Sequence, residues 1–371
     1  MLGQLRRLNE RLLPGHLAFG PLRIVLGVNN FCNLRCLMCD VGTGNDETNF
    51  GANLMGARSR TMPWNLFQEI ADQAAAFWPN ISLAFVYTEP LAWPLLGKAL
   101  AYAHQKGLRT SVTTNALLLP RRAAELADGV CGSLNVSLDG PQQVHDRIRR
   151  HDGSYARAVQ GIQALAAMPG APEISVFCTI TEWNVGSLIP FLQGLSGLPL
   201  KTVGLMHNNF VTAEQAHSHN AGYGGTWHAT PSNVFETAPD RLDVESLSAE
   251  LTEIAATPYP FPVLIQPHRT ALDDLITYYR RPDILIGRRC HDSMRSLMID
   301  SDGEAIPVHG RCFRFPIANL ANLSLKEIWH HDKQAQLRRA LQRAGGLLPA
   351  CSRCCSGFGS ADRPAAQVDV S

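Results

Sequence analysis

The sequence has little charge and no long apolar run. Its 371 residues carry a formal net charge of +1, and only 18% of them are charged. A near-neutral chain offers no broad basic surface for nucleic acid or for an anionic membrane. A transmembrane helix needs about 20 mostly apolar residues in a row, and the sequence contains no such run. We therefore expect no nucleic-acid partner and no membrane association.

The N-terminal segment lacks the features of a secretory signal. Residues 1–21 form a charged, amphipathic extension without an uninterrupted apolar core or a small-residue cleavage site. The absence of these features predicts a cytoplasmic location, in which thiols stay reduced. Hydrophobic residues make up 45% of the chain, which is enough for a substantial core and excludes global disorder.

Cysteine is too sparse for a disulfide scaffold, because the chain has only 10 cysteines. Most of them are nevertheless grouped, and grouped cysteines in a reducing compartment indicate metal ligands. Cys131 and Cys178 stand alone beside apolar runs, and we interpret them as core residues. The grouped cysteines are Cys32, Cys36, Cys39, Cys290, Cys312, Cys351, Cys354 and Cys355.

Apolar runs alternate with helical patterns along the first half of the chain. Continuously apolar strands separated by helices are typical of a parallel sheet covered on its faces, so the fold class is predicted to be α/β. Ligands of such sheets bind at the C-terminal ends of the strands. The predicted strands are Leu22–Val28, Ile81–Tyr87, Arg109–Thr114, Ser133–Leu138, Glu173–Thr181 and Thr202–His207. The predicted helices between them are Pro63–Trp78, Pro94–Lys106, Pro120–Ala127, Ser154–Met168 and Val185–Leu195.

Three cysteines follow the first predicted strand. Cys32, Cys36 and Cys39 have the spacing Cys-x3-Cys-x2-Cys in one short loop. A [4Fe–4S] cluster is fully ligated by four cysteines, so three leave one iron open, as in a reactive cluster. The alternatives are a zinc site or cysteines packed as small apolar side chains. Zinc prefers four ligands, and no nearby histidine supplies the fourth.

This loop, NNFCNLRCLMCD, resembles the signature loop of the radical S-adenosylmethionine (radical SAM) superfamily. Later strand ends resemble the family as well: Thr88-Glu89-Pro90, Thr114-Asn115-Ala116, and the region from Val136 to Arg149. The resemblance implies that Cys32, Cys36 and Cys39 bind the reactive [4Fe–4S] cluster. The residues that it implies in SAM binding are Thr88, Glu89, Pro90, Asn115, Ser137 and Arg149.

The C-terminal cysteines also resemble a known extension. Cys290, Cys312, Cys351 and Cys354 are similar to the ligands of a SPASM/twitch domain, which holds auxiliary [4Fe–4S] clusters. The cysteine number favours the one-cluster twitch form. Cys355 competes with Cys354 as fourth ligand, and a structural zinc site from the same thiols stays open. Four-cysteine ligation favours an electron relay over direct substrate binding.

The resemblance implies a partial (β/α)6 radical SAM barrel with a small C-terminal SPASM/twitch-like cluster-binding domain. After residue 207 the chain is rich in Asn, His, Gly and Thr up to residue 241, and we interpret this stretch as a long loop. A helix is predicted around Leu325–Arg343. The predicted divisions are an extension at 1–21, the barrel at 22–208, a connecting or lid segment at 209–289, the cluster domain at 290–360 and a disordered tail at 361–371.

The implied activity is that of a radical SAM enzyme. Such an enzyme cleaves SAM reductively to a 5′-deoxyadenosyl radical, which abstracts a hydrogen atom from the substrate. It takes its electron from a donor such as flavodoxin or ferredoxin. His207 and Tyr87 are candidate acid/base residues near the predicted mouth of the barrel.

The substrate stays open among three readings. The first is a small polar sugar-like or aminocyclitol-like molecule that undergoes dehydrogenation, dehydration or epimerisation. The second is a ribosomally made peptide matured by the enzyme. The third, from another class, is a non-catalytic metal-binding or electron-transfer protein, which would bind clusters without turning over SAM.

Overall fold

A computed structural model describes residues 2–56 and 58–358. Its strands are β1 (Arg23–Leu26), β2 (Ser82–Phe85), β3 (Arg109–Thr114), β4 (Ser133–Ser137), β5 (Glu173–Ile180), β6 (Thr202–His207), β7 (Val263–Gln266), β8 (Ser296–Ile299) and β9 (Ala305–Ile306). They form one sheet in the order β7-β6-β5-β4-β3-β2-β1-β8-β9. Neighbouring strands from β7 to β8 are parallel, and β9 alone pairs antiparallel. The α/β fold with a largely parallel sheet is thereby confirmed.

Helices follow most of the parallel strands. Those of the first half are α1 (Leu2–Leu12), α2 (Asp40–Thr43), α3 (Asn49–Leu54), α4 (Trp64–Phe77), α5 (Leu96–Gln105), α6 (Leu119–Arg122), α7 (Gln142–Arg149), α8 (Ser154–Ala166) and α9 (Leu188–Gly194). Those of the second half are α10 (Ala213–Tyr223), α11 (Val244–Ala256), α12 (Leu272–Arg280), α13 (Leu325–Trp329) and α14 (Asp332–Arg343). None of the described helices is long and apolar enough to cross a lipid bilayer.

The core lies between the sheet and these helices. Successive strands contribute fully buried side chains to it, and apolar faces of the helices pack against them. This burial removes apolar surface from water and is the main stabilising term. Representative buried strand residues are Ile24, Leu83, Val112, Leu134, Val176 and Leu205.

Several helical regions differ from the sequence-based expectation; α7, for example, was not predicted. The predicted loop after His207 contains α10, which begins with a capping box between Thr212 and Gln215. The helix has no clear apolar face, so hydrophobic periodicity did not reveal it. The single helix predicted around Leu325–Arg343 is two helices, because the second begins at its own N-cap, His331.

The sheet continues beyond residue 208 of the sequence. β7 pairs with β6 and β8 pairs with β1, so the first strand has a neighbour from the C-terminal part on one side. The register places Arg23 opposite Ser296 and Leu26 opposite Ile299. The C-terminal cysteines line a space together with Asn209, Phe210 and Val211, which follow β6, and so lie near the C-terminal edge of the sheet. The predicted tail at 361–371 lies outside the described residues.

Candidate functional site at the strand ends

The loop after β1 lines a cavity at the C-terminal edge of the sheet. Cys32, Cys36 and Cys39 all lie on the wall of this cavity, whose volume is about 420 Å³. The loop curls tightly, since a Cβ atom at Gly42 would lie 2.7 Å from the backbone nitrogen of Cys36. Its far side is anchored by a 2.9 Å hydrogen bond from the amide of Leu37 to the carbonyl of Ile148. We refer to residues 32–39 as the cysteine loop.

Polar N–H groups point at two of the three sulfurs. Arg149 Nη1 lies 3.7 Å from Cys36 Sγ, and Asn115 Nδ2 lies 3.8 Å from Cys32 Sγ. Burial raises the pKa of Cys32 to about 12 and that of Cys36 to about 11, so both are neutral thiols without a metal. Nearby N–H donors and a cation favour thiolates once a metal is bound. The donor set therefore fits a metal cluster held by three thiolates.

Arg149 is fixed by a buried ion pair. Its Nε donates to Asp139 Oδ2 at 2.6 Å, and the other oxygen of Asp139 accepts the amide of Thr179 at 2.9 Å. Burial opposes the charge of Arg149, but Asp139 and Cys36 together raise its pKa above the ordinary value. The guanidinium is therefore a permanent positive charge beside the cysteine loop.

The predicted SAM-binding residues occupy two different positions. Thr88, Asn115, Ser137 and Arg149 line the cavity. Glu89 and Pro90 are instead buried behind the wall, at 0% exposure for Glu89, and do not line it. The first four therefore face the cavity, and the last two do not.

Glu89 acts as an internal acceptor. Its carboxylate accepts hydrogen bonds from Thr114 Oγ1 at 2.6 Å, from the amide of Asn115 at 2.8 Å and from the amide of Leu91 at 2.9 Å. Burial raises the pKa of Glu89 above its ordinary value. The side chain therefore joins the end of β2 to the end of β3 and positions Asn115.

Three residues at the ends of β2 and β3 have a left-handed backbone. Tyr87, Thr88 and Ala116 have φ values of 63°, 37° and 60°. Non-glycine residues carry a steric penalty there. Tyr87 consequently projects its ring along the cavity wall, 6.0 Å from the ring centre of Phe50. Burial raises its pKa well above the ordinary value, so the phenol is neutral.

His207 does not face the cavity, contrary to its predicted place at the barrel mouth. It is 2% exposed, and its Nδ1 and Nε2 lie 2.8 Å from Tyr279 Oη and 2.9 Å from the carbonyl oxygen of Arg269. Burial lowers its pKa to about 4. Both ring nitrogens are thus used internally, and His207 is better explained as a structural residue than as an acid/base.

Several cavity residues come from the C-terminal part of the chain and were not predicted. Asp292, His309, Arg311 and Cys355 line the cavity opposite the cysteine loop. Asp292 forms an ion pair of 3.1 Å with Arg23 of β1. Only Cys355 carried a sequence signal, through its grouping with other cysteines; the rest depend on how the C-terminal part packs.

The remaining C-terminal cysteines surround a second, smaller cavity. Cys290, Cys312, Cys351 and Cys354 all line it, and Cys355 does not. Burial raises the pKa of Cys290 to about 12 and that of Cys351 to about 11. Four partly exposed thiols around one space match the ligand number of a [4Fe–4S] cluster, and that of structural zinc.

A buried carboxylate ties the cysteine loop to the segment after β6. Asp40, which follows the third cysteine of the loop, accepts hydrogen bonds from Ser232 Oγ at 2.6 Å and from the amide of Asn233 at 2.9 Å. Asp40 is 1% exposed. The segment that contains α10 is thereby held against the cysteine loop.

An open parallel α/β sheet with three cysteines after its first strand, and four more at the same edge, is the architecture of an iron–sulfur enzyme. The family profile described as the radical SAM superfamily matches residues 27–183. A second profile, SPASM, described as an iron–sulfur cluster-binding domain, matches residues 290–355. The chain therefore contains a radical SAM region followed by a SPASM domain, which confirms the resemblance. The radical SAM region implies SAM and a [4Fe–4S] cluster as cofactors, and the SPASM domain implies auxiliary iron–sulfur clusters.

Curated relatives are similar to less than half of the chain. Mycofactocin maturase MftC of Mycobacterium ulcerans is 29% identical over 172 residues, which are 46% of this chain and 43% of the relative. Fe-coproporphyrin III synthase of Methanosarcina barkeri is 28% identical over 159 residues, or 42% of this chain and 37% of the relative. The matched region thus spans less than half the length of these relatives.

Solved structures share the fold over most of the chain. SuiB of Streptococcus suis bound to S-adenosylmethionine has a TM-score of 0.62 at 15% identity, covering 97% of this chain and 80% of SuiB. The same protein bound to its precursor peptide SuiA has a TM-score of 0.61 at 16% identity, covering 96% and 76%. The enzyme anSMEcpe with bound AdoMet has a TM-score of 0.59 at 13% identity, covering 85% and 82%.

Proposed function

We propose that this protein is a radical SAM peptide maturase, which modifies a peptide by abstracting a hydrogen atom from it. The supporting observation is that mycofactocin maturases are 28–29% identical to this chain over 172 residues. SuiB, which binds a precursor peptide, shares the fold over almost the whole chain. These likenesses favour the peptide alternative over the sugar-like substrate of the main sequence-based reading.

The residues around the cysteine loop have two proposed roles. Some would ligate the cluster, and others would stabilise those ligands. Cys32, Cys36 and Cys39 would hold the [4Fe–4S] cluster at the cavity that they line. When bound there, the cluster and SAM supply a carbon-centred radical that removes a hydrogen atom from the substrate. Arg149 and Asn115 donate toward two of the sulfurs and stabilise their negative charge.

The C-terminal part contributes to the wall of the cavity that the cysteine loop lines. Asp292, His309 and Arg311 form this wall, and the Arg23–Asp292 ion pair fixes it to β1. A reactive radical needs an oriented substrate and little water, which a closed cavity provides. We infer that these residues contact the peptide.

The four thiols of the smaller cavity would hold one auxiliary [4Fe–4S] cluster. Cys354 is one of these four, and the next residue, Cys355, lines the larger cavity beside the cysteine loop. Neighbouring residues of the chain thus line the smaller cavity and the cavity beside the cysteine loop. Such closeness suits transfer of an electron between a cluster in one cavity and a cluster in the other. The expected partners are the peptide and an external donor such as flavodoxin or ferredoxin.

Anaerobic reconstitution tests the proposal. Iron- and sulfide-loaded protein is mixed with SAM and dithionite, and 5′-deoxyadenosine is measured. The triple variant C32A/C36A/C39A, the matched control, should form none while keeping auxiliary iron. Short peptides encoded beside the gene are then added and their masses compared. Absence of 5′-deoxyadenosine would favour the non-catalytic reading, and modification of an aminocyclitol but of no peptide would favour the sugar-like one.

A further inference from the structure

Helix α1 carries leucines on the side that faces solvent. Leu5, Leu8 and Leu12 are spaced by three and four residues, so they share one side of the helix. They are 49%, 53% and 62% exposed, and Leu13, which follows the helix, is 56% exposed. We refer to these four residues as the leucine face. A group of exposed apolar side chains with charged neighbours indicates a binding surface.

Polar contacts on another side of α1 hold the helix against the rest of the protein. Glu10 is buried and accepts hydrogen bonds from Arg295 Nε at 3.1 Å and from Arg295 Nη2 at 3.2 Å. Arg6 Nη1 donates to the carbonyl of Gly20 at 2.9 Å. A helix on the surface of a soluble protein normally packs its apolar stripe onto the core. The opposite arrangement in α1 leaves the leucine face in solvent.

Arginines border the leucine face. Arg7 and Arg11 of α1 are both exposed and lie four residues apart. The last turn of α14 lies beside the end of α1, because Gln342 Nε2 donates to the carbonyl of Arg11 at 2.9 Å. This turn adds the exposed side chains of Arg339 and Arg343. The single carboxylate of α1 is already paired within the protein, so the charge that borders the leucines is positive.

We propose that α1 attaches the protein reversibly to an anionic lipid bilayer. The leucine face lies at the boundary between head groups and acyl chains, and the arginines contact the anionic head groups. Distinct apolar and basic sides with low overall hydrophobicity are the properties of helices that lie in the membrane interface. The net charge of the whole chain and the lack of long apolar runs led to the expectation of no membrane association, but neither property detects one short amphipathic helix.

Two other occupants fit the leucine face less well. A second copy of the chain would bring the arginines of one copy against those of the other, and like charges repel. An 11-residue helix also offers little area compared with the roughly 800 Å² per partner of a stable interface. An acidic peptide would match the charge, but amphipathic peptides bind in grooves, whereas the leucine face is the outward ridge of a helix.

Vesicle flotation tests the proposal. Iron-loaded full-length protein is mixed anaerobically with vesicles of phosphatidylcholine, or of phosphatidylcholine and phosphatidylglycerol, at low and at high salt. We expect the protein to float with the anionic vesicles and to be released by salt, which screens the arginines. Binding to the neutral vesicles should be much weaker. A wild type that stays unbound to anionic vesicles at low salt, or that binds both kinds of vesicle equally, would overturn the proposal.

Leucine variants assign the binding to α1. L5Q/L8Q/L12Q should lower the vesicle partition coefficient by about tenfold or more, because three apolar side chains no longer enter the interface. Glutamine is a good helix former, so α1 itself should persist, and circular dichroism and iron content check this. L285Q is the matched control, since Leu285 is 51% exposed outside α1, and it should bind like the wild type. Full binding by the triple variant would refute the role of the leucine face.

The arginines and the oligomeric state complete the test. R7Q/R11Q should weaken binding to the anionic vesicles by about fivefold for each arginine and should reduce its salt dependence. Size-exclusion chromatography without vesicles examines the second copy. A wild-type dimer that L5Q/L8Q/L12Q converts to a monomer would show that another chain covers the leucine face, and the membrane proposal would be wrong. Formation of 5′-deoxyadenosine should be unchanged in these variants, so the outcome is independent of the proposed function.

Discussion

At the scale of single residues, Arg149 is the cation nearest to the proposed ligands of the cysteine loop. Its guanidinium donates to Asp139 and points at Cys36 Sγ. Hydrogen bonds and positive charge near a cluster sulfur stabilise the reduced cluster, which carries one more negative charge. Arg149 should therefore raise the reduction potential of the cluster.

Replacing Arg149 by Met should lower that potential. We expect a fall on the order of 60 mV, which is tenfold in equilibrium constant for a one-electron couple. The reduction potential of R149K should fall less, because lysine keeps the positive charge but lacks the planar guanidinium group. The potential is read by redox titration with electron paramagnetic resonance, on protein whose iron content matches the wild type. An unchanged potential in R149M would contradict the assigned role.

His207 should make the protein acid-labile. Its folded-state pKa is about 4, below the ordinary 6.5, so the unfolded chain binds more protons between these values. Stability contributed by neutral His207 is complete above pH 6.5 and is lost as the pH falls toward 4. The effect is at most about 3 kcal/mol for one group.

Urea unfolding of the wild type and H207Q between pH 4 and 7 checks this expectation. The free energy of unfolding should rise less steeply with pH in H207Q. Y279F removes the partner of Nδ1 but keeps the imidazole, so it should cost about 1–3 kcal/mol and keep the steep rise. Parallel curves for the wild type and H207Q would contradict the assignment.

At the scale of secondary-structure elements, an aromatic ring of β5 lies against a glycine of β6. Phe177 pairs with Gly204, and a Cβ atom at Gly204 would lie 2.5 Å from the ring. We expect G204V to lower the free energy of unfolding by roughly 1–3 kcal/mol through this overlap. Adding F177A should recover part of the loss.

A glycine with open space around it provides the control. Gly222 lies in α10, and no atom lies within 4 Å of a Cβ placed there. G222A should raise the free energy of unfolding by about 0.5–1 kcal/mol, because glycine is unfavourable inside a helix. Equal urea midpoints for G204V and the wild type would show that the ring moves aside without cost.

The elements also show how far the sequence alone reaches. The first six parallel strands were predicted because each is a strand-like run between helical patterns. β7 and β8 were not predicted, and β8 pairs with a strand whose Arg23 lies 273 residues before Ser296. Such pairings depend on tertiary packing that local patterns do not record.

The candidate site shows the same division. The cysteine loop was predicted because the three ligands and their spacing lie in one short segment. The wall formed by Asp292, His309 and Arg311 was not, because these residues carry no distinctive spacing and reach the cavity only through the position of β8. The burial of Glu89 behind the cavity wall was not predicted either. It depends on hydrogen-bond donors at the end of β3, a neighbouring strand.

At the scale of the whole molecule, the sheet makes the two matched regions interdependent. β8, from the SPASM region, lies against β1, whose end carries the cysteine loop. A chain truncated after residue 289 loses β8 and leaves that edge of β1 unpaired. We expect this truncation to aggregate or to bind no iron, whereas a chain ending at residue 358 should be loaded like the full protein.

Iron analysis and size-exclusion chromatography check the truncation. About eight irons per chain are expected for the full protein with two [4Fe–4S] clusters. C290A/C351A, which alters only cysteines of the smaller cavity, is the control and should keep about four. A monomeric, iron-loaded truncated chain would show that the barrel folds without β8.

The place of β8 beside β1 also has a consequence during synthesis on the ribosome. Arg23 and Ser296, which pair across these strands, are 273 residues apart in the chain. One edge of the first strand therefore stays unpaired until β8 has been made and has left the ribosome. An unpaired edge is a template for association with other chains. The growing chain should accordingly depend on chaperones until β8 has emerged, and insertion of iron after β1 should follow the pairing of β8 with β1.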